Sequence, residues 1–423
     1  MKRTALTTLL LVALAALSGC SKDLVCAGDQ LVCSDACTSI RTDAKNCGAC
    51  GHACGSGEAC QAGVCTDCAA TGTCAVAVYA ACFDTNAIQG ATQDLVAAGE
   101  PLATDAGPDA LVPVGGELWV ANDLSNTLSR VTFAGTRAIQ NQAVTLTSVG
   151  YSDLSYLAVH AGLLYASNAP AGTLVVIDPV AKAVRDEIPL GAAGEGVNPQ
   201  GIGFVQDRAY VALQANYGYA PLNAVAVVDV SKEATCAHPA SGSCGQVLAR
   251  IDAGANALPY RVLPFTEGVG ATGKVYVTLA NLDASFNPAG DGKLAVIDPS
   301  TQTVAQTVTL TGCQDPAELA LVGSTLWVAC GFQAYGTTPP ATGAGFLPVD
   351  LSTSVPTVQS LVATTQQPGS VALCGGKIYA GDRASGAMLR LDPAARTVTV
   401  SGSPICPANS HGNALVSAVS CAL

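Results

Sequence analysis

Seven times along this chain a short apolar strand carries one large aromatic as its third residue. The segments are AVYAAC, ELWVAN, LLYASN, RAYVAL, KVYVTL, TLWVAC and KIYAGD, with Tyr79, Trp119, Tyr165, Tyr210, Tyr276, Trp327 and Tyr379 in that place. An apolar residue recurs eight positions earlier: Leu111, Leu157, Ile202, Leu319 and Val371 keep this spacing, and only Val262 to Tyr276 is longer, by an insert around EGVGATG. Most of these apolar residues follow a proline by three positions (Pro108, Pro199, Pro259, Pro316, Pro368). Proline suits the first residue of a strand, where its missing N–H removes no ladder bond. Downstream comes an apolar run closing on aspartate. Two such runs, GTLVVIDPVAKAVRDEIPLG and GKLAVIDPSTQTVAQTVTLTG, are near-copies; NAVAVVDVS and GAMLRLDPA repeat the form, and GFLPVDLS is a weaker copy. One unit is therefore strand A, strand B with its aromatic, strand C ending on Asp, and strand D. Seven four-stranded antiparallel units predict an all-β, seven-bladed β-propeller. A β-sandwich would not impose a seven-fold register. With 49% hydrophobic and 12% charged residues, the chain can bury the core this needs.

The first unit begins at AVAVYAACF, already strand B, and the last residues, HGNALVSAVSCAL, have no strand B after them. The C-terminal strand is expected to complete the first blade, with Leu415 in the place of Leu111. Closing the ring this way leaves only short strand edges.

VYVTLAN, LWVAND and LLYASN, followed by VID and a late IPLG, resemble the YVTN-type propeller repeat over residues 75–423. The resemblance implies the fold and little about function, because that family includes binding proteins, surface proteins and a few enzymes.

The chain starts MKRTALTTLLLVALAALSGC. Lys2 and Arg3 precede an apolar stretch, Ala5 to Leu17, that is short for a membrane span. Its end, Leu17-Ser18-Gly19-Cys20, resembles the lipobox of bacterial lipoproteins, which implies cleavage before Cys20 and attachment of lipid to it. Ser21 and Lys22 lack the aspartate associated with inner-membrane retention, so an outer-membrane lipoprotein, facing periplasm or cell surface, is expected. The organisation reads as a signal peptide over 1–19, a lipidated tether over 20–25, a Cys-rich module over 26–74 and the propeller over 75–423. The formal charge is −12, and removal of Lys2 and Arg3 makes it −14. So acidic a body does not suggest a nucleic-acid partner.

Of nineteen cysteines, eighteen remain once Cys20 is set aside, and ten crowd between Cys26 and Cys74. In an exported chain disulfides are the default. NCGACGHACGSGEACQAGVC has almost no apolar bulk, so crosslinks must hold it. Zinc at Cys47-x-x-Cys50 with His52 or Cys54 is the alternative, whereas haem attachment would need His where Gly51 stands. The module resembles Cys-rich segments of myxobacterial surface lipoproteins, which implies a stalk. In the propeller, Cys313 lies before strand A and Cys330 ends strand B of one blade; Cys406 and Cys82 hold the same places around the ring closure. These positions suggest the pairs Cys313–Cys330 and Cys82–Cys406, with a local Cys236–Cys244 and a remaining Cys374–Cys421.

Aspartates ending strand C (Asp178, Asp229, Asp298, Asp350, Asp392) recur from unit to unit, as do Asn122 and Asn168 after strand B, and read as turn formers. Positions that break the symmetry are better site candidates. Three neighbouring B–C loops are long and carry Tyr217, Tyr219, Phe286, Phe332 and Tyr335, a surface suited to a glycan, peptide or protein ligand. His52, His160, His238 and His411 show no metal-ligand spacing, and neither a nucleophile motif nor a phosphate-cradling loop occurs. No catalytic residue, metal ligand or cofactor is assigned, and a monomer is expected. The reading is a non-catalytic binding or display module. The alternative is a lactonase-like hydrolase, with Asp109, Asp315 and Glu318 near strand A starts contributing to a divalent-cation site; a purely structural surface protein is the third.

Overall fold

The structure, a computed structural model, describes residues 30–423 except 34–35, 41–45, 55–57, 62, 68–75, 94, 96, 134–137, 147–152, 193–194, 196, 217–220, 237–241, 266–272, 284, 286 and 332–342. Seven sheets form blades ordered A-B-C-D from the channel outward. Blade 1 takes strand A from the C-terminus (Val416–Cys421) and strands B to D from Val78–Cys82, Ala87–Ala91 and Ala97–Ala103. Strand A of blades 2 to 7 is Pro108–Val114, Leu154–His160, Val197–Val205, Pro259–Phe265, Leu319–Val322 and Pro368–Cys374. Each strand A touches the next around the full ring, including blade 7 against blade 1.

The repeated residues have repeated jobs. Leu111, Leu157, Ile202, Val262, Leu319 and Val371 each face the residue just after the strand B aromatic. In the closing strand that partner, Ala80, faces Val419. The place of Leu111 therefore belongs to Val419, and Leu415 lies ahead of the strand. The apolar run there permits several frames and has no proline to mark one; the frame adopted buries Val416 and Val419 against blade 7.

Each aromatic wedges into the seam with the following blade. Tyr79, Trp119, Tyr165, Tyr210, Tyr276, Trp327 and Tyr379 belong to seven separate apolar clusters, each built from two adjacent sheets. The core is thus seven seams, and strand B, sandwiched on both faces, is buried at every position of LLYASN. Strand D is the rim: TVAQTVT alternates between exposed and half-buried residues. In blade 6 strand D splits into Thr357–Val358 and Val362–Ala363, both paired to Gly345–Asp350. Pro348 explains the gap. Its carbonyl accepts from Gln359 N at 2.9 Å, so its missing N–H falls on that same ladder.

Four disulfides staple the ring. Cys82 is bonded to Cys406 across 324 residues and Cys374 to Cys421, both spanning the closure. Cys313 is bonded to Cys330 and Cys236 to Cys244. In the N-terminal module two hairpins, Gln30–Cys33 with Ala36–Ser39 and Glu58–Gln61 with Val64–Asp67, carry Cys33–Cys50 and Cys54–Cys65. Cys47 is disulfide-bonded too, so none of these sulfurs is a free thiolate for zinc. No helix among the described residues is long and apolar enough to cross a membrane.

Candidate functional site

The two residues before each strand A apolar position stand on the innermost strand of each blade, and here the blades differ. The pairs are Ser417-Ala418, Asp109-Ala110, Ser155-Tyr156, Gln200-Gly201, Tyr260-Arg261, Ala317-Glu318 and Gly369-Ser370. Members from six blades, with Arg383 from the loop after strand B of blade 7, line one cavity of ≈70 Å³. Blade 4 is the exception. A Cβ on Gly201 would lie 2.6 Å from the Tyr260 carbonyl oxygen, so glycine is required for strand A of blade 5 to approach. The small side chains bind the ring together. Ser417 Oγ donates to Pro108 O at 2.5 Å, Ser155 Oγ to Pro199 O at 3.1 Å, and Ser370 Oγ accepts from Val419 N at 3.1 Å.

The charged members interlock. Arg261 Nε lies 2.8 Å from Glu318 Oε2, and the guanidinium sits 4.1 Å above the Tyr156 ring. The Arg261 Nε–H is not directed at an acceptor despite that short approach, and Nη1 is buried without a hydrogen-bond partner. Burial lowers the Arg261 pKa, against the pull of Glu318. Burial raises that of Glu318, against Arg261 and Arg383. Asp109 is pushed up to about 6, first by burial, then by the charges of Asp153 and Glu318, with Arg383 opposing. Asp123 and Asp153 face each other across the blade 2–blade 3 seam. Burial raises both; the charges of Asp153 and Asp109 raise Asp123 further, while the hydrogen bond with Asp123 pulls Asp153 back, so the pair keeps a proton on Asp123. Burial also drives the Tyr260 hydroxyl up.

Two strained backbones flank the cavity. Leu258, wholly buried, has φ +44 and Asp315 has φ +43. A branched apolar residue with positive φ is an outlier; Leu258 is held there by its N–H donating to Asn223 Oδ1 at 2.9 Å.

Of the residues proposed from sequence, Asp109 and Glu318 line the cavity, and Asp315 is buried within electrostatic reach of Tyr260. Among the described residues no three carboxylate or histidine ligand atoms converge within 4.8 Å; the two groups that do converge contain disulfide-bonded cysteines. The channel acids therefore do not fit a pre-formed cation cage. Tyr217, Tyr219, Phe286, Phe332 and Tyr335 lie outside the described residues. Their loops start from strand B ends, and Pro259 faces Leu279 across that end of blade 5, next to the cavity-lining Tyr260 and Arg261. Sequence reasoning missed Tyr156, Tyr260, Arg261, Arg383, Asp123 and Asp153. The first three were legible, because they occupy the two positions before the strand A apolar residue where the repeats disagree.

The strand C aspartates behave as turn formers. Asp178 accepts from Val180 N and Ala181 N, Asp229 from Ser231 N, Asp298 from Ser300 N, Asp350 from Ser352 N and Asp392 from Ala394 N. Asn122 Nδ2 bonds Thr127 and Ser129 inside blade 2. Asn168 is equally buried, yet neither side-chain atom meets a partner, and nothing in the structure explains it.

No protein-family model matches the chain, and no curated protein does. Solved structures match throughout the propeller. A candidate 6-phosphogluconolactonase from Bacteroides uniformis aligns with a TM-score of 0.54 at 14% identity, over 81% of this chain and 98% of that one. Its counterpart from Bacteroides fragilis gives 0.51 at 14%, over 82% and 98%. A functionally unknown protein from Desulfotomaculum acetoxidans gives 0.53 at 12%, over 78% and 96%. At such identities the likeness establishes the propeller fold alone.

Proposed function

We propose that this chain is an exported, lipid-anchored envelope protein whose propeller is a non-catalytic binding module with its site at the channel mouth. The observation that carries this reading is the convergence of unrepeated side chains from five blades, Asp109, Tyr156, Tyr260 and Arg261, Glu318 and Arg383, on one cavity. Apart from Tyr156, which also packs on the seam of blades 3 and 4, none of them belongs to a seam cluster. At ≈70 Å³ the cavity holds a handful of waters or one polar group. It would therefore receive a single group of a larger ligand, such as a glycan or peptide terminus. The remainder would extend toward the long B–C loops, whose sequences supply the aromatics Tyr217, Tyr219, Phe286, Phe332 and Tyr335.

Glycan and peptide arrays probed with the chain lacking its signal peptide supply ligands, and titration calorimetry then compares wild type with Arg383→Gln. A loss of affinity of at least about ten-fold, with unchanged thermal unfolding, is the expected result. Equal affinity would remove the channel mouth as the site. The hydrolase alternative draws on the same acids, yet Glu318 is paired with Arg261 and Asp123 with Asp153. Native mass spectrometry with and without chelator separates the readings: the binding module has the bare oxidised mass, and a stoichiometric divalent ion would reverse the ranking.

A further inference from the structure

A second carboxyl pair lies far from the channel, in the outer seam between blades 3 and 4. Asp186 belongs to strand D of blade 3 (Ala183–Pro189), where a bulge opposite Val176 and Ile177 turns it inward. It is 1% exposed. Its Oδ2 accepts from Cys244 N at 2.7 Å and Gly245 N at 3.2 Å, and its Oδ1 from Glu187 N at 2.9 Å. Those amides belong to the connection between strands C (Pro221–Asp229) and D (Gln246–Asp252) of blade 4, which carries the short 3-10 turn Glu233–Thr235 and the disulfide Cys236–Cys244. Glu233 is 0% exposed, and neither of its oxygens receives a hydrogen bond from an N–H or neutral O–H. The polar group it reaches is the Asp186 carboxylate.

Two acceptor-only groups cannot face each other in a dry seam unless one carries a proton. Asp186 already accepts three N–H bonds, so the proton belongs on Glu233, which then donates to Asp186. The charged and titratable neighbours are Asp186 and Arg185 from strand D of blade 3, Asp229 from strand C of blade 4 and Tyr165 from strand B of blade 3. Arg185 is committed to Asp178 at 2.7 Å and donates to Ala234 O at 2.9 Å. The fit is tight: a Cβ on Gly245 would lie 2.3 Å from Ile188 Cδ1 and 2.8 Å from Glu233 Oε1.

We propose that Glu233 and Asp186 form a proton-held latch that keeps the Glu233–Thr235 turn and Cys244–Gly245 of blade 4 docked on blade 3 and releases them when Glu233 ionises. Burial, then the charges of Asp186 and Asp229, push Glu233 up to about 7 from an ordinary 4.5. Because the docked state has the higher value, docking is fully favoured below about 4.5, weakens as pH rises and reaches its floor above about 7.

Hydrogen exchange of the full chain, corrected for intrinsic rates, reads the latch directly, because the Cys244 and Gly245 amides lose their acceptor on opening. Between pH 5 and pH 8 their protection is expected to fall about ten-fold or more, while strand B amides of blade 5 hold theirs. Glu233→Gln keeps the shape and donates an N–H to Asp186 at every pH, so its protection should stay flat and exceed wild type at pH 8. Flat protection in wild type, or an unchanged pH dependence in E233Q, would overturn the latch. The wild-type series decides alone if the variant does not fold.

Discussion

The seams and the channel mouth are built from the same strands by opposite rules. In the seams one residue type recurs in every blade, is apolar or aromatic, and meets the same neighbour each time. At the mouth, the adjacent pairs differ from blade to blade, and each includes at least one polar or charged residue. The acids make the contrast sharpest. Asp178, Asp229, Asp298, Asp350 and Asp392 recur, accept turn N–H groups and sit below the ordinary carboxylate range. Asp109, Asp123, Asp153 and Glu318 do not recur, crowd together out of water and sit above it. Repetition marks what each blade needs for itself, and its failure marks what the assembled ring does once.

This contrast can be broken at several points. The largest effect is expected at the closure. Cys82 and Cys406 are 324 residues apart, so replacing both with serine should cost on the order of 5 kcal/mol in denaturant unfolding. Cys374–Cys421 would still hold the same seam, so a smaller loss would mean that this bond alone suffices. Next is a seam wedge. Tyr276→Ala empties a fully buried site and should cost ~3–5 kcal/mol, with ligand affinity unchanged once the protein is folded. An intermediate effect belongs to the mouth, where Asp109 sits at about 6 against an ordinary 3.8. A raised carboxyl contributes stability that is present below about 3.8 and lost as pH climbs toward 6. Wild type should therefore melt higher at pH 4 than at pH 7, and Asp109→Asn should narrow that gap; an unaltered gap would show Asp109 to be ordinary. The smallest effect is at a repeated turn. Asp178→Ala removes two N–H acceptances and the Arg185 pair near the surface, and should cost less than ~1 kcal/mol with no change in binding.

Periodic features were legible because their causes are local. A strand sandwiched between two sheets must be apolar throughout, a wedge must be large, and a strand C turn needs an acceptor, so each left its mark in every unit. The seven blades, the C-terminal closure and the places of Cys313, Cys330, Cys82 and Cys406 could be read from spacing alone. The register of the last strand could not, because LVSAVSCAL is apolar in several frames; packing against blade 7 selected Val416 and Val419 over Leu415.

What only the tertiary structure decided is which unrepeated side chains meet. Asp109, Arg261, Glu318 and Arg383 stand in different blades, and no spacing joins them; they share a cavity because the ring brings every strand A to one axis. Asp123 and Asp153 meet across one seam, and Asp186 and Glu233 across another, for the same reason. Secondary structure follows from neighbours along the chain and therefore shows as a period. A site in a closed ring follows from distances through space, which the order of residues does not record.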